Sequence, residues 1–471
     1  MASCRAVVGH STGAVNAAAL APFSDDFEGE IVLPGSAGYD AARIVWNAMI
    51  DRRPAIVARC GGVDDVVRSI RFARDQDLPI AVRSGGHSVG GFSTCDGGIV
   101  IDLSLMRGVR VDPERRTARV QGGSLLGELD REAQAFGLAC PVGVVGHTGV
   151  AGLTLGGGMG RLQRRFGFTI DNLLSVDLVT ADGQQLHVSG SEHPDLFWGM
   201  RGAGPNFGIV TSFEFRLHRV GPDVVHGLTA FPASRGNEVA ARSADYLATA
   251  PDEVMLSFGF AVATEDPPFP PGVAGRPVVL VGGTHSGPPA EAREVLRPLR
   301  DLNPLFDTFE SRPYLAVQAQ SDEDMAWGKR FYMKGGFLAA LTDGFVDAGL
   351  EHVAKAPGAE CSVGLWAQGG AIARVADDAM AFTGREAPFW LGVEAAWEDP
   401  SQDDAHRDWG RVTMDALSPF TAEGHYVNDV VESGADVARG IYGAAKYDRL
   451  VELKRAYDPD NVFRLNQNIR P

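Results

Sequence analysis

Cysteine is scarce: five residues (Cys4, Cys60, Cys95, Cys140, Cys361) are scattered over 471 positions. That is too few for a disulfide framework, and no C-x-x-C pair offers thiolate spacing for zinc, so no metal is expected. Basic charge is in deficit. With 43 Lys and Arg against 60 Asp and Glu the formal net charge is −17, which argues against nucleic acid or an anionic membrane as partner. No run approaches twenty uninterrupted apolar residues, so no helical span crosses a bilayer. The opening AVVGHSTGAVNAAALA resembles a signal peptide only weakly, because His10, Ser11, Thr12 and Asn16 interrupt it, and a cytoplasmic location is expected.

Glycine is what the chain has in quantity, 58 residues, gathered into loops. From Pro79 to Met106 an apolar strand (Ile80, Ala81, Val82) runs into Arg83-Ser84-Gly85-Gly86-His87-Ser88, and a second strand follows at Ile99–Leu103. Consecutive bare amides in such a turn form an anion-binding concavity, which points to a nucleotide cofactor lying against the loop with His87 beside it. A second cluster, Cys140 to Gly160, holds eight glycines in 21 residues, a density expected to exclude regular helix or strand. A third, Arg201 to Thr211, precedes an alternating strand from Ser212 to His218. These clusters contain neither G-x-G-x-x-G with a downstream acid nor a loop ending in Gly-Lys-Ser/Thr, which argues against ordinary Rossmann and P-loop sites.

Around the loops the pattern is α/β. Pro54–Arg59 reads as a buried strand, and DDVVRSIRFARDQ places Val63, Val66, Val67, Ile70 and Ala73 on one helical face. Strands at Gly108–Val111 and Ala118–Gln121, a helix near Leu125–Phe136 and a hairpin about Asp182-Gly183 continue it. The length suits two domains. GHSTG at 9–13 and GHSVG at 86–90 match the hydrolase nucleophile elbow. Ser11 has only eight residues before Gly9, and no helix opens after Gly90, so chance matches are the expected reading.

Taken together, RSGGHSVGG, GHTGVAGLTLGGGMGRLQRRFGFTIDNLLSVDLVTADG, DLFW with RGAGPNFGIVT, and the terminal YDPDNVFRLNQNI resemble the berberine bridge enzyme-like FAD-linked oxidases, flavoproteins of the vanillyl-alcohol oxidase type. The resemblance covers roughly residues 28–471. It implies an α+β fold in which a split FAD-binding α/β domain (36–222 completed by 431–471, after an N-terminal segment 1–35) encloses a substrate domain. That inserted domain, 223–430, would be an antiparallel sheet flanked by helices.

The resemblance also implies site residues. Arg83, Ser84, Gly85, Gly86 and Ser88 would surround the cofactor, with His87 bonded covalently to the flavin's ring methyl. Cys140 would add a thioether at flavin C6, and His147 would hydrogen-bond the ribityl chain. Val145, Gly146, Thr148, Gly149, Gly152, Leu153 and Gly156 would line the second loop, and Gly208, Ile209 and Val210 the third. Asn466 and Asn468, with Gln467, would face the isoalloxazine edges. Tyr442 is the candidate base, provided nearby charge favours phenolate; Gln368 stands where a tyrosine often precedes paired glycines. The implied activity is hydride removal from a C–H bond beside O or N of an alcohol, sugar or natural product, with dioxygen reduced to peroxide. An oxidative cyclase forming a C–C or C–O bond is the alternative, and a serine hydrolase a remote one.

Overall fold

The apolar run Ile56-Val57-Ala58 lies at the centre of a four-stranded sheet, in the computed structural model that describes residues 17–471. Ile56–Arg59, Ile99–Asp102 and Ile80–Arg83 run parallel, and Glu30–Val32 closes one edge antiparallel. Continuous apolar strands suit a parallel sheet covered on both faces. The crossover helix Val63–Asp75 buries Val66, Val67, Ile70 and Ala73 as its spacing predicts. Its Asp65 is buried as well, and its carboxylate accepts the amides of Glu28, Gly29 and Gly61 at 2.8–2.9 Å, tying the edge strand to the helix. Arg83 donates to the buried Asp102 at 2.6 Å, joining the ends of two parallel strands. The loop from Ser84 therefore leaves the sheet at its carboxyl edge, where open α/β sheets bind ligands.

A second, antiparallel sheet is ordered Val109–Asp112, Thr117–Gln121, Ile209–Arg216, Leu173–Val179, Gln185–Ser189. Its hairpin turns at Gly183, with φ 81°. The third sheet, nine strands from Asp223 to Ala422, is antiparallel throughout. Its residues alternate. Leu391, Val393 and Ala395 enter a core with Phe345, Val346 and Trp409 of the helices Asp343–Val353 and Asp403–Leu417. Trp390 and Glu394, of opposite parity on the same strand, line a cavity. The final helices, Ala435–Tyr442 and Ala444–Tyr457, return to the first half of the chain: Ile441, Leu450 and Leu453 share a core with Leu196, Phe207 and Phe213.

One expectation fails here. The glycine-dense stretch 140–160 contains a helix, Val150–Gly156. Gly149 precedes the first turn and Gly156 and Gly157 (φ 140°) close the last, leaving Gly152 as the one interior glycine among the ordinary side chains of Val150, Ala151, Leu153, Thr154 and Leu155. Glycine count alone ignored position.

The helix Leu126–Gln134 carries Asp130 into the interior, where Gln318 donates to one carboxylate oxygen at 3.2 Å and the other has no partner. Burial pushes this carboxyl up to about 7. A folded-state pKa above the unfolded value contributes stability at low pH that is lost as pH rises through about 7. Asp130→Asn is therefore expected to raise the melting temperature relative to wild type. The gap should widen between pH 5 and 8 in calorimetric scans, and a gap independent of pH would contradict the assignment.

Candidate functional site

Two glycine loops meet back to back. A Cβ on Gly85 would stand 2.2 Å from the Gly149 amide nitrogen, and a Cβ on Gly149 would stand 2.2 Å from that of Gly85. Only glycine on both sides permits this approach. The amides of Gly85, Gly86, His87 and Ser88 donate to no acceptor among the described residues. They form a concavity of unclaimed N–H groups, suited to an anion such as a pyrophosphate. Beyond it lies a cavity of about 510 Å³. Ser84, Gly85, Gly86, His87, Ser88, Val145, Thr148, Gly149, Gly152, Leu153, Gly208, Ile209, Val210 and Asn466 all line it.

His87 is held face on. Its ring stacks on Trp46 at 4.7 Å, and Trp46 stacks on Phe331 at 3.9 Å while donating its indole N–H to Met325 O at 2.6 Å. Burial, with His147 adding to it, lowers the His87 pKa to about 3, so the imidazole is neutral and its lone pair available. His87 Nε2 lies 2.6 Å from His147 Nδ1.

The other expected residues fall elsewhere. His147 does not line the cavity; its ring nitrogens meet His87 Nε2 at 2.6 Å and Asp322 O at 3.4 Å. Gly146 gives its amide to Asp322 Oδ1 at 2.6 Å, Gly156 packs against Asn428, and Arg83 is occupied by Asp102. Asn468 has an orphaned side-chain oxygen and does not line the cavity.

Cys140 is fully buried among Leu126, Leu138 and Val142. Burial and nearby Asp130 hold its thiol well above the ordinary range, and Gly143, Val144 and Val145 face the cavity in its stead. A thiol that stays protonated is a poor nucleophile, so the second linkage is not supported. Tyr442 is also misplaced as a base. It is buried in the core of the terminal helices, donates to Gly202 O at 3.2 Å, and is pushed further from phenolate by burial. Gln368 follows the strand Cys361–Ala367, where the chain turns at Gly369 and Gly370 (φ 83° and 54°); its side-chain carboxamide is enclosed without partners, and Trp366 lines the cavity where Gln368 was expected. Ser88 Oγ accepts the Phe92 amide at 3.0 Å and engages no imidazole, which removes the elbow reading at 86–90. The other match, with Ser11, and Cys4 lie outside the described residues.

Residues that the sequence did not single out close the cavity's far end. Trp366 and Trp390 stand edge to face at 6.3 Å, with Met333, Glu394, Tyr426, Asn428 and Asp429 around them. Trp390 Nε1 donates to Asp429 Oδ2 at 2.7 Å. Desolvation outweighs that bond and, with the nearby Glu394, pushes Asp429 up to about 8. Burial raises Glu394 too, and its carboxylate has no hydrogen bond within the described residues. Tyr426 OH accepts the Gly158 amide at 3.0 Å and Asn428 Nδ2 at 2.9 Å. A signal existed: a lone acid in each of the apolar runs WLGVEAAW and HYVNDVV costs too much to bury without use.

Residues 54–189 match the family described as FAD binding domain, and residues 425–470 the one described as Berberine and berberine like. The (R)-6-hydroxynicotine oxidase of Paenarthrobacter nicotinovorans is 32% identical over 94% of this chain and 97% of its own. The solved 6-hydroxy-D-nicotine oxidase from Arthrobacter nicotinovorans superposes with a TM-score of 0.83 at 31% identity, covering 94% of this chain and 98% of that one. In fold alone, a BBE-like protein of Physcomitrella patens matches with a TM-score of 0.84 at 22% identity over 96% and 98% of the two chains. The cavity's amide nest and this similarity, which spans both ends of the chain, lead to one assignment: the chain belongs to the berberine bridge enzyme-like family of FAD-linked oxidoreductases.

Proposed function

We propose that this chain is an oxidase with covalently held FAD that removes a hydride from a C–H bond beside O or N in a small organic substrate and reduces dioxygen to hydrogen peroxide. The observation that carries it is a single cavity running from the unclaimed amides of Gly85–Ser88 to the titratable Asp429. The residues present fit the cofactor: besides those amides, the orphaned Ser84 Oγ and Asn466 Oδ1 belong to cavity-lining residues and await partners. In this reading residues 36–222 with 431–471 hold FAD, and 223–430 present the substrate.

Bound FAD supplies the hydride acceptor and the path of electrons to dioxygen. The chain supplies the rest. Trp366 and Trp390 form apolar walls that exclude water and orient a ring or chain. Asp429, poised at about 8, takes the proton that leaves as the hydride departs. Its indole partner steadies the carboxylate once formed.

Purified protein should be yellow, with the colour staying in the acid-precipitated pellet. His87→Ala is expected to bind flavin that acid releases completely, because buried Cys140 offers no second attachment, and to turn over more slowly. Pellet-bound flavin in His87→Ala would contradict this. Peroxide release with a panel of alcohols, aldoses and cyclic amines tests the activity; a reduced flavin that persists in air would refute the oxidase reading.

A further inference from the structure

We propose that the bare backbone over Gly364 and Gly259 is a slot for a planar ring, so that the substrate of this chain is an amine or alcohol whose oxidised carbon carries an aromatic ring. The inference deepens the reading of the chain as an FAD oxidase and rests on it.

Four neighbouring strands of the third sheet place a glycine in one row across its face: Gly335, Gly392, Gly364 and Gly259, each directly opposite the next. Side chains alternate along a strand, so this row shares its face with Met333, Trp366, Trp390 and Glu394, which line the cavity. Leu391, Leu365 and Phe258, one residue away, enter the core on the other face. None of the four glycines has a positive φ, so backbone conformation does not call for them. Glycine inside a strand weakens it and marks the close approach of another group.

For half of the row the protein itself supplies that group. A Cβ on Gly392 would stand 2.4 Å from Trp390 Cη2, and one on Gly335 would stand 2.9 Å from Asp429 Oδ2 and 3.2 Å from Trp390 Nε1. The indole therefore lies over these two glycines, where it donates to Asp429. The other half is uncovered. A Cβ on Gly364 meets nothing within 4 Å among the described residues, and one on Gly259 meets only the backbone of Val363 and Gly364. Ser362 and Ala261, the next residues on this face, are small. Trp366, two residues from Gly364, stands edge to face with Trp390.

The result is a floor of peptide planes walled by indoles. A flat conjugated ring touches such a floor over its whole face, whereas a puckered one touches it at a few atoms. Sugar hydroxyls would meet amides and carbonyls already spent on the sheet ladder. The polar group at hand is Glu394, opposite Ser362 and close enough to Asp429 to raise its pKa. A ring seated on the floor turns its N–H or O–H substituent toward these two carboxyls, beside the base that takes the proton.

The test compares two ligands of one polar group and different flatness, 2-naphthamide and decahydronaphthalene-2-carboxamide. Neither has a C–H bond beside O or N, so neither is oxidised. Calorimetric titration of wild-type holoenzyme is expected to show 2-naphthamide bound at least about tenfold more tightly than its saturated counterpart. Gly364→Val fills open space with a strand-favouring side chain. It should retain FAD, weaken 2-naphthamide at least about tenfold and abolish the preference between the two ligands. Gly364→Ala should move both quantities in the same direction by less, and it decides the matter where the valine variant does not fold. A wild type without the preference, or 2-naphthamide affinity unchanged by both substitutions, overturns the proposal. A yellow wild type that binds neither amide overturns the slot and leaves the oxidase reading standing. A colourless wild type fails that reading and the proposal with it.

Discussion

Asp429→Asn is expected to lower kcat/KM by about two to four orders of magnitude, the range of general-base contributions, while the protein still binds FAD. Asparagine keeps the volume and can still accept the indole N–H from Trp390, now 2.7 Å from Asp429 Oδ2, so folding is preserved. What it loses is the ability to take a proton. The pH profile identifies the group. A base at about 8 is mostly protonated at neutral pH, so wild-type kcat/KM should rise about tenfold per pH unit below that value and level off above it. Two neighbours move this limb in opposite directions. Trp390→Phe removes the donor that favours the carboxylate and should shift the limb to higher pH. Glu394→Gln removes a like charge that disfavours it and should shift the limb to lower pH. A limb that both substitutions leave in place would exclude Asp429 as its origin, and an Asn variant with unchanged kcat/KM would remove it from the reaction.

What could be read in the sequence divides by the range of the forces involved. The helix Val63–Asp75 and the hairpin at Gly183 depend on local periodicity and turn chemistry, and both stand where the pattern places them. The loops at 84–88 and 143–153 were legible because glycine at a close backbone crossing leaves a compositional trace. Tyr442 was misread, although its spacing carried a warning. Ala438, Ile441 and Tyr442 recur at i, i+3 and i+4 on the helix Ala435–Tyr442, which is the core-facing stripe. Cys140 was misjudged similarly, since an apolar neighbourhood settles a thiol's reactivity and the motif does not record it. The lone acid in HYVNDVV marked Asp429, but its chemistry depends on partners distant in the chain. Burial raises its pKa, and the indole of Trp390 (which lowers it) and the carboxylate of Glu394 (which raises it) lie some forty residues earlier in the chain, on a strand of the third sheet.

Gly85→Ala is the other substitution with a large expected effect, and it separates cofactor binding from chemistry. The added methyl would meet the Gly149 nitrogen at 2.2 Å, its Cα at 2.7 Å and the Thr148 carbonyl carbon at 3.0 Å. All three are backbone atoms, so no rotamer change relieves the clash. Relief requires the first loop to part from the second, and each carries part of the cavity wall. Overpacking of this kind costs about 1–3 kcal/mol or more. Here the cost falls on the geometry that aims four free amides at one point. The expected result is FAD affinity weakened at least about 100-fold, which corresponds to about 2.7 kcal/mol, together with a lower melting temperature. Gly190→Ala is the control, since a Cβ there meets nothing within 4 Å, and it should change neither quantity. Calorimetric titration of apoprotein with FAD measures both variants. If Gly85→Ala took up FAD as wild type does, the amides of this loop would not be what holds the cofactor, and the nest would have to be sought elsewhere along the cavity wall.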